Sequence, residues 1–570
     1  MKKNFFLLSF IFFFFSINNI FSQVSVDPNN DFYLDAQGWL SKGYIDYLPQ
    51  LKPYSPAVIE EILLVVKDVE DKADKQRAED YYNRYFGRKI HLTLSGTGNS
   101  RFYNREYGDD NETEYVDDYK IASAKASLGG DIKFNPYFGI SYDFGLRGIS
   151  NDDSPLSVFP YCEKNSEYLK IDDLSFKEGS IDFLLDLNGA ISFGNKNIYG
   201  SLGFNRVGFG IFPDDDLILN PSSYQLANAN INFVSKGFEY TQMVGFPVAQ
   251  GYNNSDEFKW CKALSFHSIK IPLMQNKFSV SYYESAVYGN YFNPAYLLPA
   301  PWALISRVSG FSENVLSGIS FQTNILPCFS ISTDFMMNDI DLKPFIKLKW
   351  NDAAIRGAFK TGIIYTPKYS LFRYIKLDYC IVTPYTYTSC DSSDKKYNFS
   401  DYTNYGLCMG TELLPNSHQL GIVIQFAPIK RFSVTTTSKF MQHANQYENL
   451  DDKDVLMLPS GAVTDGSLKQ ITHNLESAKE ETGLLNQDSK MTVFRIGIDV
   501  DYELRNKHSA SISFNAGYSF EYIVNDGVDN PIFPERYETI EQVKMARENW
   551  KNNLHKSQNH YFRAGVTIKY

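Results

Sequence analysis

Eight histidines stand at 91, 267, 418, 443, 473, 508, 555 and 560, and no two fall at the i,i+4 spacing of a helical metal site. Ser417 next to His418 raises the possibility of a hydrolase pair, but Pro415-Asn416-Ser417 reads better as a loop entering a strand. G-x-S-x-G, H-E-x-x-H and phosphate-loop motifs are absent from the sequence. Asp152-Asp153 and Asp214-Asp215-Asp216 offer hard oxygen ligands for calcium. Neither run has EF-hand spacing, so solvated loop acids are the commoner reading. Six cysteines at 162, 261, 328, 380, 390 and 408 include no C-x-x-C pair, although Cys390 and Cys408 lie close enough in one loop region to pair. The expectation is a non-enzymatic chain with no cofactor and no metal.

Composition narrows the class further. A net charge of -11 without a basic patch argues against nucleic acid as a partner. Tyr (40) and Phe (44) are abundant, Trp (5) is scarce, and the mean hydropathy is -0.31. A transmembrane barrel has this signature, since only alternate residues meet lipid and aromatics girdle the interfaces. Lys2-Lys3, the apolar run Phe5 to Ile17 and Ser22-Gln23 predict a signal peptide over 1–22. That run is shorter than the ~20 residues a spanning helix needs.

Residues 23–87 read as a small periplasmic helical subdomain. Asp31 to Tyr47 has helical spacing up to Gly43. Ser55-Pro56 starts a second helix with Val58, Ile59, Ile62, Leu63 and Val66 on one face, and a third runs from Asp71 to Phe86. From residue 88 the period becomes two, and 88–570 is predicted to be the barrel. Phe138 to Leu146, Phe494 to Tyr502 and Ile512 to Phe520 alternate apolar with small or polar residues. Short turns are expected at Asn135-Pro136, Gly194 to Asn197, Ser235 to Gly237, Met274 to Lys277, Leu326 to Cys328, Thr366 to Ser370, Ala427 to Lys430 and Arg505 to Lys507. Between them lie polar segments near 98–120, 148–178, 209–227, 247–262, 289–314, 339–353, 389–417, 442–490 and 524–559. Eight short and nine long connections imply about eighteen antiparallel strands, with both barrel ends on the periplasmic side. The long loops include helix candidates at Leu468 to Lys479 and Pro534 to Leu554. Asp143, Asp334, Asp499 and Asp501 are assigned to the lumen, partly offset by Arg147, Arg495 and Arg563.

The last ten residues place Phe562, Ala564, Val566, Ile568 and Tyr570 on one face. A chain ending on an aromatic residue of such a strand resembles the closing strand of bacterial outer-membrane barrels. A more specific resemblance lies in residues 278–342. Glu284-Ser285, Tyr288-Gly289, Asn293-Pro294, Leu297, Glu313-Asn314, Leu316, Gly318 and Asn338-Asp339-Ile340 look like the capsule-assembly Wzi family, as does the block Pro384 to Thr388, Tyr402 to Gly406 and Leu414 to Ser417. The resemblance implies an eighteen-stranded barrel with a periplasmic helical bundle. It further implies a lectin-like role, with external loops holding capsular or other extracellular polysaccharide. Glu284, Tyr288, Asn314, Asp334 and Asp339 are the lumen or rim candidates for ligand contact, against a purely structural role at the loop bases. Partners expected are outer-membrane lipid, extracellular polysaccharide and the outer-membrane insertion machinery. The competing reading is a diffusion porin or substrate-specific channel.

Overall fold

A computed structural model describes residues 26–570 apart from 88–89, 108–111, 136, 151–154, 164, 172–173, 236, 252–257, 260–261, 290–292, 300, 303–312, 340–355, 389–396, 445–483, 486–488, 506–509 and 529–538. The expected signal peptide, Asp152-Asp153, Cys390 and the Leu468 to Lys479 segment lie outside the described residues. Three helices come first: α1 (Asp31–Ser41), α2 (Pro56–Val66) and α3 (Lys72–Phe86). Asn30, Ser55 and Asp71 cap them by accepting backbone N–H groups with their side chains. The first helix stops at Ser41, two residues before Gly43, where the helical spacing ends. Gly43 adopts φ +73, a conformation open to glycine, and turns the chain as Tyr44 N–H donates back to Trp39 O at 3.0 Å.

Eighteen long strands follow and close into one antiparallel barrel. They are β1 (Ile90–Tyr107), β2 (Glu112–Asn135), β3 (Phe138–Ser150), β4 (Ile181–Gly194), β5 (Ile198–Asn205), β6 (Leu226–Val234), β7 (Glu239–Phe246), β8 (Lys262–Leu273) and β9 (Phe278–Gly289). The second half comprises β10 (Asn314–Thr323), β11 (Phe329–Asp339), β12 (Arg356–Tyr365), β13 (Phe372–Val382), β14 (Ser417–Ile429), β15 (Phe432–Ala444), β16 (Lys490–Arg505), β17 (Ser511–Asp526) and β18 (His555–Lys569). Short connections gather at one end, the turn end, and long ones at the other, the loop end. The segment 98–120, expected as a loop, is mostly strand: β1 and β2 stay paired to Tyr107↔Glu112, leaving only 108–111 between them. Most of its residues are small, polar or charged, with Phe102, Tyr103, Val116 and Tyr119 scattered among them, so apolar alternation fades while the backbone ladder continues.

The closing strand behaves as its alternation predicts. β18 pairs with β17 through Phe514↔Val566 and Ile512↔Ile568, and with β1 through Leu94↔Ile568 and Ser100↔Phe562. Tyr570 and Leu92 exchange backbone hydrogen bonds at 2.8 and 2.9 Å. Phe562, Val566, Ile568 and Tyr570 are exposed on the outer wall, together with Leu94, Phe144, Leu202, Phe335, Ile422, Ile496 and Phe514. So much exposed apolar surface around a closed sheet is the lipid-facing belt of a transmembrane barrel.

The helices sit on the turn end and grip it through ion pairs. Arg373 at the start of β13 donates to Asp35 on α1 at 2.7 and 2.5 Å, and Arg431 meets Asp80 of α3 at 2.8 Å. Arg84 reaches Glu503 of β16 at 3.2 Å, and Gln37 donates to Ser330 of β11 at 2.8 Å. Phe32, Trp39, Tyr81 and Tyr85 fill the core beneath. Burial raises the Asp35 carboxyl, but Arg373 and Arg77 outweigh it and hold the group below the ordinary carboxylate range.

A depressed carboxylate contributes stability that is complete above its unfolded value near ~4 and lost as pH falls through the lower folded value. Docking of the helices is therefore expected to be intact at pH 5 and above and to loosen on acidification below about 4. Arg373→Met should loosen it at neutral pH by roughly 3–5 kcal/mol, since it strands Asp35 without its buried partner. Limited proteolysis of residues 26–87, with the barrel followed by its heat-dependent gel mobility, reads both effects; equal protection of wild type and variant would overturn the assignment. On the outer wall, Val566→Arg is expected to cost about 2–4 kcal/mol if it lies near the bilayer midplane. Thr567→Arg, one residue on and facing inward, should fold far better, and refolding yield into liposomes measures the difference.

Candidate functional site

Inward-facing residues of the strands do not meet an empty lumen. Parts of three long connections fold inside: 155–163 with 165–171, 206–225, and 383–388 with 397–416. Leu217, Ile218 and Leu219 of the second and Tyr387, Tyr402 and Met409 of the third pack against Met243, Leu264, Phe266, Tyr283, Leu316 and Met336 of the wall. The two segments also bond to each other, Tyr387 OH donating to Leu217 O at 2.7 Å and Asn220 N–H to Met409 O at 2.8 Å. A strand of the N-terminal region joins them from the turn end, as Leu51-Lys52 pairs with Phe209-Gly208.

Charge fastens this filling. Lys360 of β12, 1% exposed, donates to Asp215 Oδ2 at 2.7 Å, while Lys376 of β13 pairs with Asp214 and Lys52 lies 3.3 Å from Asp216. Asp215 also accepts Thr411 Oγ1 at 2.8 Å and Glu412 N–H at 3.1 Å, tying the third segment to the second. Each acid of the run 214–216 thus pairs with a lysine; Asp216 is fully buried, whereas the Asp214 side chain stays 54% exposed, as expected of a loop acid. No group of metal-binding side chains occurs among the described residues. The two flanking acids differ, Asp216 being fully buried and Asp214 exposed. Lys376 and Lys360 pull Asp214 well below the usual range, whereas burial wins over Lys52 and Lys360 at Asp216 and pushes it up to about 6. Lys262, also fully buried, donates to the carbonyls of Asn398 at 3.1 Å and Thr403 at 2.9 Å.

Four of the five rim or lumen candidates turn out to be buried groups of the wall. Glu284 is 0% exposed, bonded to His267 Nε2 at 3.0 Å and accepting Trp302 N–H at 2.7 Å, so it pins Trp302 against the wall. Tyr288 bonds Ser265 at 3.0 Å and packs on Tyr296. Asn314 accepts from Asn338 at 2.6 Å. Asp334 accepts the Tyr283 hydroxyl at 3.0 Å and stands opposite Lys360 of β12 in the ladder. Asp339 ends β11, and its side chain lies outside the described residues. Ser417 bonds not His418 but His443, Nδ1 at 2.7 Å, with both groups buried.

The open chemistry lies elsewhere, in a cavity of about 650 Å³ at the loop end. β1 supplies Arg101 and Arg105, β17 supplies Glu521, Ile523 and Asp526, and β18 supplies His555 and Tyr561. Phe159 and Tyr161 come from the inward segment 155–171. Asn549, Trp550 and Asn553 come from α4 (Ile540–Asn552) and its end, a helix started by the Thr539/Gln542 capping box. The floor is a fixed polar web. Arg101 donates to Asn559 Oδ1 at 3.0 Å, Asn559 to Glu521 Oε1 at 3.2 Å and Tyr561 OH to the same oxygen at 2.9 Å. Tyr161 N–H donates to Glu521 Oε2 at 3.0 Å, and the Arg101 and Arg105 guanidiniums stack on Tyr103 at 4.6 and 5.1 Å. Trp550 is held by a bond from Nε1 to Gly527 O at 3.1 Å.

Sequence reasoning missed this group because its members come from five segments up to 460 residues apart. Two signals were present: Arg101 and Arg105 share the inward parity of β1, and Asn549 and Asn553 share one face of the expected Pro534 to Leu554 helix, observed over Ile540–Asn552.

No family model and no curated protein matches the chain. Among solved structures, Escherichia coli Wzi, described as an outer-membrane protein involved in group 1 capsule assembly and a carbohydrate-binding β-barrel, is similar at 11% identity. The match covers 96% of this chain and 98% of that one with a TM-score of 0.52. Pseudomonas aeruginosa OpdK, solved with vanillate, matches 84% of this chain and 99% of its own at 7% identity and TM-score 0.39; Acinetobacter baumannii OccAB2 gives 84%, 98%, 8% and 0.39. The chain thus has the fold of Wzi, a closed eighteen-stranded outer-membrane barrel with helices at its N-terminus.

Proposed function

We propose that this barrel binds an extracellular polysaccharide at its loop end, without catalysis. The cavity carries the reading. It offers aromatic rings at Phe159 and Tyr161, paired donors and acceptors at Arg105, Asn549, Asn553 and Asp526, and a volume of about 650 Å³, suited to one or two sugar rings. Sugars present apolar C–H faces and rims of hydroxyls, so rings beside fixed polar groups match both. The floor web holds Tyr161 in place through Glu521 before a ligand arrives, which lowers the entropic cost of binding. The carbohydrate binding described for Wzi, whose fold this chain shares, agrees. In this reading the barrel sits in outer-membrane lipid after delivery by the insertion machinery. The helices then lie in the periplasm, and the cavity opens at the cell surface.

Binding of the surface polysaccharide of the cells that make the protein, measured on detergent-solubilised barrel, tests the site. Tyr161→Ala and Arg105→Ala should each weaken it about ten-fold, roughly 1.4 kcal/mol. Unchanged binding by both variants, or none by folded wild type, would sink the proposal.

A further inference from the structure

The inward segments fill the lumen unevenly. Against β7 to β13 the inward side chains are buried almost throughout. Against β16 to β18 and β1, toward the turn end, they remain open to water. Asp501 is exposed, Asp499 and Arg563 are 32% and 44% exposed and form an ion pair at 2.6 Å, and Thr93, Ser95, Thr97 and Asn515 are half-buried. These residues outline a wet polar chamber. On the loop-end side of the same strands lies the cavity described above.

One layer separates the two. Arg495, Glu521 and Asn559 stand side by side as register partners on β16, β17 and β18, with Arg101 of β1 opposite Tyr561 of β18. Glu163 closes on Arg495 at 3.3 Å, and Tyr168 bonds Thr97 and Ser123 at 3.2 and 3.3 Å. Glu521, Asn559, Tyr561 and Arg495 are buried, yet Arg563 and Gly517, only two and four residues along the strands, already border the chamber. At ~3.3 Å per residue the partition is roughly 7–13 Å thick. It is made of side chains and one inward segment rather than of the barrel wall, so it can part without breaking the sheet.

We infer that this sector is a closed passage for small ions and hydrophilic solutes, with the Arg101–Asn559–Glu521–Tyr561 layer as its gate. The path is lined by both signs, Arg101, Arg495 and Arg563 against Glu521, Asp499 and Asp501, so its charge selectivity is weak. The claim is independent of glycan binding, because it concerns the layer under the cavity and is read electrically.

The test is conductance of the full-length protein in a planar bilayer, with folding followed by heat-dependent gel mobility. Wild type is expected to show no steady steps, and Glu521→Ala/Tyr561→Ala is expected to show them. Adding Asn515→Trp, which points a large ring into the chamber, should cut that conductance at least two-fold. Glu521→Gln, which keeps the shape of the layer, should stay silent. Silence from the folded double variant, steps unaffected by Asn515→Trp, or wild-type steps as steady as those of the double variant would overturn the inference. If the double variant does not fold, Tyr561→Ala alone is read, and its silence when folded counts equally against the gate.

Discussion

A sheet in lipid has no water to satisfy its edge groups, so the pairing of β18 with both β17 and β1 is the constraint on which everything else rests. Once that ring closes, every strand residue is committed to lipid or lumen by parity. Val566 and Ile568 go out; Arg563, Gly565 and Thr567 go in. The apolar outer belt, the polar inner wall and the clustering of turns at one end are consequences of closure with period two.

A barrel of eighteen strands encloses more volume than its own side chains fill. Here the filling is supplied by the chain's long connections and by the strand Leu51–Lys52 entering from the helical end. Drawing polar backbone into a dry interior is stable only where partners are found, and the three lysines on Asp214, Asp215 and Asp216 provide them. The carbonyl cage around Lys262 does the same for 398–403. The helical cap is held by the same means at the turn end, through Arg373 and Arg431. Cap, filling and wall are therefore joined through buried charge.

The unevenness of that filling is what leaves room for chemistry. Where 206–225 and 397–416 pack, the described inward side chains of the wall are buried. Beside 155–163 and 165–171, a cavity remains above the Arg101–Asn559–Glu521–Tyr561 layer, and inward side chains of the wall below it are open to water. The layer thus serves as the floor of one compartment and the lid of the other.

Sequence alone determined what depends on neighbours along the chain. The alternation of Phe138 to Leu146, the turn residues, the closing face Phe562 to Tyr570 and the capped helices after Ser55 and Asp71 follow from local periodicity and backbone chemistry, and the architecture follows from them. Parity told which side Asp334, Asp499 and Arg563 face, but not what they meet. Tertiary structure decided that Asp215 would find Lys360 across 145 residues, that Glu284 would anchor Trp302 rather than stand at a rim, and that Tyr161 would reach Glu521 across 360. Such pairings are set by how loops of no fixed period pack inside a closed wall, and a long-range packing problem leaves no local mark in the chain.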